Sequence, residues 1–374
     1  MMTELATPAD RKARGKELRR AVPRSSHGDW TPPADRADPV TVITDQNKDR
    51  LQFLVPIRHY RMAESAFTFY RGSAAIMAAD LAGTPVTGLT SQLCGDAHLS
   101  NFGSFATVTR EQAFDTNDFD ETLPGPWEWD LKRLAASFVL AGRDNEFDDA
   151  DTREATSTAV AGYQNAMAKF TTMATLDVWY AHLTLQQITD AMPKKKDRKA
   201  AEKSATKARS KDSLRAQRKL AEKVDGNFRI KSDPPVLIPL RDLPSADNPD
   251  ELGKEAERSF AEYRSTLADN RKVLLDKYHI VDIGLKVVGV GSVGTRCLIV
   301  LLEANDDSDP LFLQIKEATD SVLEAHLPKS AYRHHGERVV RGQRLMQVSS
   351  DIFLGWSAGA AGHEFYWRQL YDMK

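Results

Sequence analysis

Asp96 and Asn101 stand five residues apart in Cys94-Gly95-Asp96-Ala97-His98-Leu99-Ser100-Asn101. That pairing suits phosphoryl transfer, where a carboxylate orients or deprotonates an acceptor hydroxyl and an amide oxygen holds a metal ion bridging phosphates. One Asp and one Asn at a given separation are common, so the pair needs support. About fifteen residues on, Phe114-Asp115-Thr116-Asn117-Asp118-Phe119-Asp120-Glu121 offers the second carboxylate that magnesium chelation across β- and γ-phosphates requires. Asp118 is the preferred metal residue beside Asn101; Asp120 and Asp115 stay open as alternatives.

Two further segments carry complementary chemistry. Val288-Gly289-Val290-Gly291-Ser292-Val293-Gly294-Thr295 contains a G-x-G-x-x-G spacing. Its best-known reading is a dinucleotide-binding turn between a strand and a helix. Here the apolar run Cys297 to Leu302 follows, which favours a second strand. A strand-glycine-strand hairpin lets backbone N–H groups approach phosphate oxygens without side-chain clash. A plain β-turn is the bland alternative. Lys316 ends the apolar strand Phe312-Leu313-Gln314-Ile315. A lysine stem packed in a small sheet is costly unless its ammonium meets anions, which phosphates and a helix carboxylate would supply. Glu337, at the start of the next helix, is the preferred carboxylate, with Glu324 as the alternative.

The elements positioning these residues are partly legible. Residues 1–50, with Pro23, Pro32, Pro33, Pro39 and a basic cluster from Arg11 to Arg20, suit an extended surface arm. Phe67, Tyr70, Ala74, Met77 and Leu81 share one face of a helix that Gly83 and Pro85 end. An extended stretch, Val86 to Leu93, then leads to Asp96. A helix from about Trp127 has Trp127, Leu131, Leu134 and Phe138 on its apolar face, and amphipathic helix continues from Asp149 to Met192. The Lys194 to Lys223 run reads as a solvated helix with pairs at i and i+4. Pro234, Pro235, Pro239 and Pro244 break the pattern before a charged helical stretch, Glu251 to Tyr278. A boundary near residue 275 separates a helical unit (51–274) from a β-rich one (275–374). The latter has runs at Ile283 to Val290, Cys297 to Leu302 and Leu311 to Ile315, an Asp-rich turn at Asp306 to Asp309, a helix from Glu337 to Val348, and extended runs Ile352 to Trp356 and His363 to Leu370.

Composition sets limits. The 374 residues are 41% hydrophobic and 28% charged, enough for one large domain or two lobes with real cores. A net charge of −2 points to neither nucleic acid nor a membrane surface as partner. Cys94 and Cys297 are too few for a disulfide framework or a four-ligand zinc site and suit a reducing compartment. No apolar run approaches the roughly 20 residues of a membrane span, so a cytoplasmic protein is expected.

The motifs resemble known families. Gly95-Asp96-Ala97-His98-Leu99-Ser100-Asn101 resembles the catalytic loop of aminoglycoside and choline phosphotransferases, with Cys94 in place of that family's histidine before the glycine. Asp118-Phe119 resembles the kinase Asp-Phe-Gly position. Gly125-Pro126-Trp127-Glu128-Trp129-Asp130-Leu131 resembles the same phosphotransferases' Gly-x-x-x-Asp-Leu segment, in which Asp130 would brace the catalytic loop. From about residue 15 onward the chain looks like the bacterial domain-of-unknown-function family 2252, through Leu54-Val55-Pro56-Ile57-Arg58, Phe69-Tyr70-Arg71-Gly72, Val288 to Arg296 and Gly342-Gln343-Arg344-Leu345-Met346-Gln347.

These resemblances imply an α+β, protein-kinase-like two-lobed fold, circularly permuted, with the helical large lobe encoded first and the small β-rich lobe last. Permutation is geometrically permissible because chain termini often lie close together. They imply ATP and Mg2+ as cofactors and a small-molecule or protein acceptor. Asp96, Asn101 and His98 would be catalytic, Asn101 with Asp118 or Asp120 would hold the metal, and Gly289, Gly291, Ser292, Gly294, Lys316 and Glu337 would form the nucleotide side. The family also implies a further helical segment beyond Lys374, so the small lobe is expected to be incomplete at that end. Alternatives are a pseudokinase or nucleotide-regulated scaffold, AMP transfer from ATP, and a hydrolase built on Asp96, His98, Asp115, Asp118 and Asp120.

Overall fold

The computed structural model describes residues 6–209, 213–243, 249–305 and 308–370. Pro244, Asp306 and Lys374, named above, lie outside that set.

The N-terminal segment is helical rather than extended. Helix α1 (Pro8–Ala21) starts from a capping box between Thr7 and Asp10, and α2 (Pro39–Gln46) from Asp38, whose carboxylate accepts from the Thr41 N–H. Both prolines sit at the first helical position, where the missing N–H costs nothing and the fixed φ helps. Helix α1 buries no residue, whereas Ile43 of α2 enters the core.

The single helix predicted through Phe67 and Leu81 is two, following α3 (Val55–Ala63). Helix α4 (Ala66–Arg71) stops at Gly72, and α5 (Ala74–Ala82) restarts after it. Gly72 permits the break because a Cβ there would lie 2.8 Å from Met62 of α3. Of the stretch 86–93 only β1 (Thr90–Leu93) is a strand. The hairpin β2 (Phe102–Ala106) and β3 (Gln112–Thr116) follows, then β4 (Leu123–Pro126), which pairs antiparallel with β1.

Helix α6 (Trp127–Asp144) is turned from its predicted orientation. Trp129, Arg133, Ser137 and Ala141 are buried, whereas Trp127, Leu131, Leu134 and Phe138 are half-buried beneath α7 (Asp149–Phe170). The inward face therefore mixes apolar and polar groups, which a search for an apolar stripe overlooks.

Short elements α8 (Thr175–Tyr180), β5 (Leu183–Thr184) and α9 (Leu185–Ala191) lead to α10 (Lys195–Arg209) and α11 (Ser213–Leu220). The charged run expected to be one solvated helix ends in the core, with Ala216 and Leu220 buried. It continues into the hairpin β6 (Ala221–Val224) and β7 (Asn227–Ile230), closed by Asp225-Gly226 with both φ positive.

Strand β8 (Leu237–Pro239), helices α12 (Pro249–Ser265) and α13 (Asp269–Leu275), and strands β9 (His279–Lys286), β10 (Cys297–Glu303) and β11 (Pro310–Ala318) come next. Helix α14 (His335–Met346), β12 (Gly355–Ala358) and β13 (Glu364–Gln369) finish the described chain. The main sheet is antiparallel, in the order β12-β13-β11-β10-β9-β8. Both faces are covered, which explains the unbroken apolar runs in β10 and β11. Ile299, Leu301 and Phe312 pack against Ala216, Leu220 and Ile230, while Val300, Leu302 and Leu313 pack against Tyr263, Leu267 and Leu275. The layers around the sheet therefore draw in residues 213–275, ahead of the boundary expected near 275. The architecture is α+β. No helix among the described residues is long and apolar enough to cross a membrane.

One apolar cluster joins the sheet to the earlier part of the chain. Cys94, Ala97 and Phe119 meet Ala318, Val339, Val340, Leu354 and Tyr366 there. It brings the Asp96 turn and the Asp118 turn against the end of β11, α14 and β13.

Candidate active site

A cleft of about 420 Å³ opens above this junction. Asp96, His98, Asn101, Asp118, Asp120, Gly289, Gly291 and Ser292 all line it. Lys316 lies at its floor, 2% exposed.

The Asp96 turn is braced by α6. Gly95 has φ +83, and a Cβ there would lie 2.2 Å from the Glu121 carbonyl, so only glycine fits. Asp130 accepts from the N–H groups of Cys94 at 2.8 Å and Gly95 at 3.1 Å, which is the bracing role predicted for it. Ser137 accepts from Leu99 N–H at 3.0 Å. Arg133 donates through Nε to Asp96 Oδ1 at 2.6 Å and lies over the Tyr70 ring at 4.3 Å. Asp130, Arg133 and Ser137 are one helical face, spaced by three and four residues. Burial raises Asp96 to about 6 even though Arg133 opposes the shift, so at neutral pH its carboxylate is ionised and basic enough to accept a proton.

His98 sits 3.6 Å from Asp96 Oδ2. Burial and then Arg133 and Arg71 push it down to about 3, so it is neutral and does not supply a proton at ordinary pH. Asn101 donates Nδ2 to the Asp96 carbonyl at 2.7 Å, which leaves its oxygen for a cation.

The three aspartates open in the sequence separate clearly. Asp115 accepts from its neighbour Thr116 and from Val348 N–H, and it does not line the cleft. Asp118 and Asp120 both do, and both pair with Lys316: Asp118 Oδ1 lies 3.2 Å from Nζ, and Asp120 Oδ2 is closer still. Burial alone would raise Asp118, but Lys316 and Arg368 outweigh it and hold the carboxyl at about 2. Lys316 loses by burial and gains more from the two aspartates, so its ammonium is held well above its usual range. Tyr366 Oη donates to Asp120 Oδ1 at 2.5 Å.

Glu337, expected beside Lys316, is elsewhere. It sits in the first turn of α14, where its N–H donates to the capping His334 and its carboxylate pairs with Arg341 at 3.2 Å, and Glu324 is tied to the N–H groups of Ser321 and Ser330. The lysine finds its carboxylates across the junction because the Asp118 turn reaches it before α14 does. Helix α14 acts instead through Arg338, which donates to the carbonyls of Asp120, Thr122 and Thr319 at 2.7 to 2.8 Å.

The glycine turn joins β9 to β10 as predicted. Gly289 and Gly294 have φ +65 and +93. Its carbonyls are held by the N-terminal part of the chain: Arg61 of α3 donates to Gly289 at 2.6 Å, Arg50 to Val293 at 2.6 Å, and Leu51 N–H to Gly294 at 2.8 Å. Gly294 is not among the cleft residues but packs on the Arg50 stem. Arg133, Tyr366 and Arg368 were not singled out from the sequence, nor were Arg50 and Arg71. Arg133 alone carried a signal, since it follows Asp130 at helical spacing.

The donors facing the cleft from Asn101, Asp118 and Asp120 are all hard oxygens, which suits magnesium and not a soft-ligand metal. The profile of the family described as "Uncharacterized protein conserved in bacteria (DUF2252)" matches residues 50–374. The chain belongs to the DUF2252 family. No curated protein and no solved structure matches the chain. In this DUF2252 protein the matched span takes in every residue of the cleft except Gln46 and Asp49.

Proposed function

We propose that the cleft is the active site of an ATP- and magnesium-dependent phosphotransferase of kinase type, with its two lobes encoded in swapped order. One observation carries the reading. Asp96, Asn101, Asp118 and the glycine turn meet in one cleft, and Lys316 pairs with Asp118 across 198 positions of sequence. Four separately weak motifs would have no reason to converge unless they served one chemistry.

The roles follow from the geometry. Asp96, ionised and fixed by Arg133, accepts the proton of an acceptor hydroxyl. Lys316, held beside Asp118 and Asp120, would meet the phosphates with its ammonium. Asn101, Asp118 and Asp120 would hold magnesium, which when bound neutralises charge developing on the phosphoryl oxygens. The glycine turn presents backbone N–H groups to the phosphates. Transfer of AMP would use the same residues, and the mass of the modified acceptor separates the two reactions.

Thermal denaturation with ATP or ADP, each with magnesium, tests the reading. Wild type is expected to melt several degrees higher with nucleotide at concentrations well above its dissociation constant, and Asp118→Ala to lose most of that shift. A wild-type melting curve unmoved by every nucleotide sinks the proposal.

A further inference from the structure

Three arginines of the N-terminal part of the chain, Arg50 in the bend after α2, Arg58 on α3 and Arg71 on α4, line the same cleft and have no part in the roles above. Among the described residues none of them is ion-paired. The Arg50 guanidinium donates to the Val293 carbonyl only. Arg58, with no exposed surface, donates to neutral oxygens of Ile43, Gln46, Asn47 and Gly72. The Arg71 side chain makes no hydrogen bond, and the Nε of all three is buried without a partner.

Guanidinium groups keep their protons in proteins, so burial without an anion is a cost that a bound anion would offset. Burial, and for Arg58 also the nearby Arg50, holds all three below the ordinary arginine range, Arg58 at about 9. The nearest carboxylates are committed elsewhere. Asp96 acts on Arg71 through space but is bonded to Arg133; Glu317 acts on Arg50 but pairs with Arg296 and His363; Glu121 accepts from Val322 N–H.

The position of Arg71 narrows the ligand. Its carbonyl lies 3.0 Å from where a Cβ on Gly291 would be, so it touches the glycine turn. Its charge also acts on Asp96 and His98. It therefore spans the gap between the phosphate-covering turn and the catalytic carboxylate, which is where a terminal phosphate would sit.

Resting on the nucleotide reading, we infer that Arg71, backed by Arg50 and Arg58, binds the terminal phosphate of a nucleoside triphosphate. Recognition of the terminal phosphate would thus draw on the N-terminal part of the chain in addition to Lys316 and the glycine turn.

Titration calorimetry with ATP, ADP and inorganic tripolyphosphate, on wild type, Arg71→Ala and Arg71→Lys, tests this. Loss of a charged hydrogen-bonding partner is expected to weaken ATP and tripolyphosphate about tenfold or more. ADP should change by less than about twofold, and lysine should recover part of the loss. Arg71 has no hydrogen bond to lose, so the unliganded alanine variant should melt with wild type; should it not, the lysine variant carries the comparison. If Arg71→Ala binds ATP and tripolyphosphate as wild type does, the inference fails and the nucleotide reading stands. If wild type binds tripolyphosphate but neither nucleotide, the anion site stands and the nucleotide reading fails. If it binds none of the three, both fail.

Discussion

The two turns that face each other across the cleft are held in opposite ways. The Asp96 turn is braced by Asp130, Arg133 and Ser137, which stand on one helix less than forty residues downstream and bond the N–H groups of Cys94, Gly95 and Leu99 and the Asp96 carboxylate. The glycine turn is held from more than two hundred residues upstream, by donors to its carbonyls from Arg50, Leu51 and Arg61 and by packing of Gly294 on the Arg50 stem. A turn built to position one side chain needs its own backbone fixed. In the glycine turn the N–H groups of Val293 and Thr295 bond within the turn, so on the proposed reading it is the remaining amides that would meet a ligand.

The contrast can be broken most sharply through the chemistry. Asp96→Asn keeps the shape of the braced turn and removes the base, so turnover of ATP should fall about 10²- to 10⁴-fold, with magnesium nucleotide binding, read by the same thermal shift, little altered. A variant that binds and turns over normally would dissociate Asp96 from the reaction.

Next in size is one substitution made in both turns. Gly95→Ala puts a Cβ into the Glu121 carbonyl at positive φ and should cost about 4 kcal/mol or more in urea unfolding. Gly289→Ala also has positive φ, but no atom lies within 4 Å of the added carbon, so only the left-handed strain of about 1 to 2 kcal/mol is expected. Equal costs would mean that the two turns are not differently packed.

The smallest effect is one of pH. Burial raises Glu121, beside the braced turn, to about 7. Its folded pKa exceeds its unfolded one, so the folded state binds more protons, and stability falls as pH rises from the unfolded value near 4.5 through 7. Glu121→Gln removes that slope. Its melting temperature should equal or trail wild type near pH 4.5 and lead it by a few degrees above pH 7. A constant difference across the range would place the charge elsewhere.

The sequence made the cleft more legible than the scaffold around it. Asp96, Asn101, Asp118, Lys316 and the glycines declared themselves because each is a residue type with one chemical use at a fixed local spacing. Their supports did not. Arg133 looked like one more charge on an amphipathic helix, because a buried polar face breaks the apolar stripe by which helix orientation is read. Arg71 sat inside a predicted continuous helix whose break at Gly72 depends on Met62, a tertiary contact. Glu337 had the right type and position for Lys316 but lost it to Asp118 and Asp120, since which carboxylate reaches a lysine first is settled by how two separate segments dock. Ala216 and Leu220 were hidden in a lysine-rich run that seemed solvated, and the Asp225-Gly226 turn that follows was a plain hairpin signal passed over.

The C-terminal strand β13 gives the site a schedule. Asp118 and Asp120 leave the ribosome some two hundred residues before Lys316, and later still come Tyr366, which bonds Asp120, and Arg368, whose charge acts on Asp118. Throughout that interval the nascent chain carries two neighbouring carboxylates without the cation that joins them. The ion cluster of Lys316, Asp118 and Asp120 can therefore assemble only late, and the last described strand to emerge is the one that completes it.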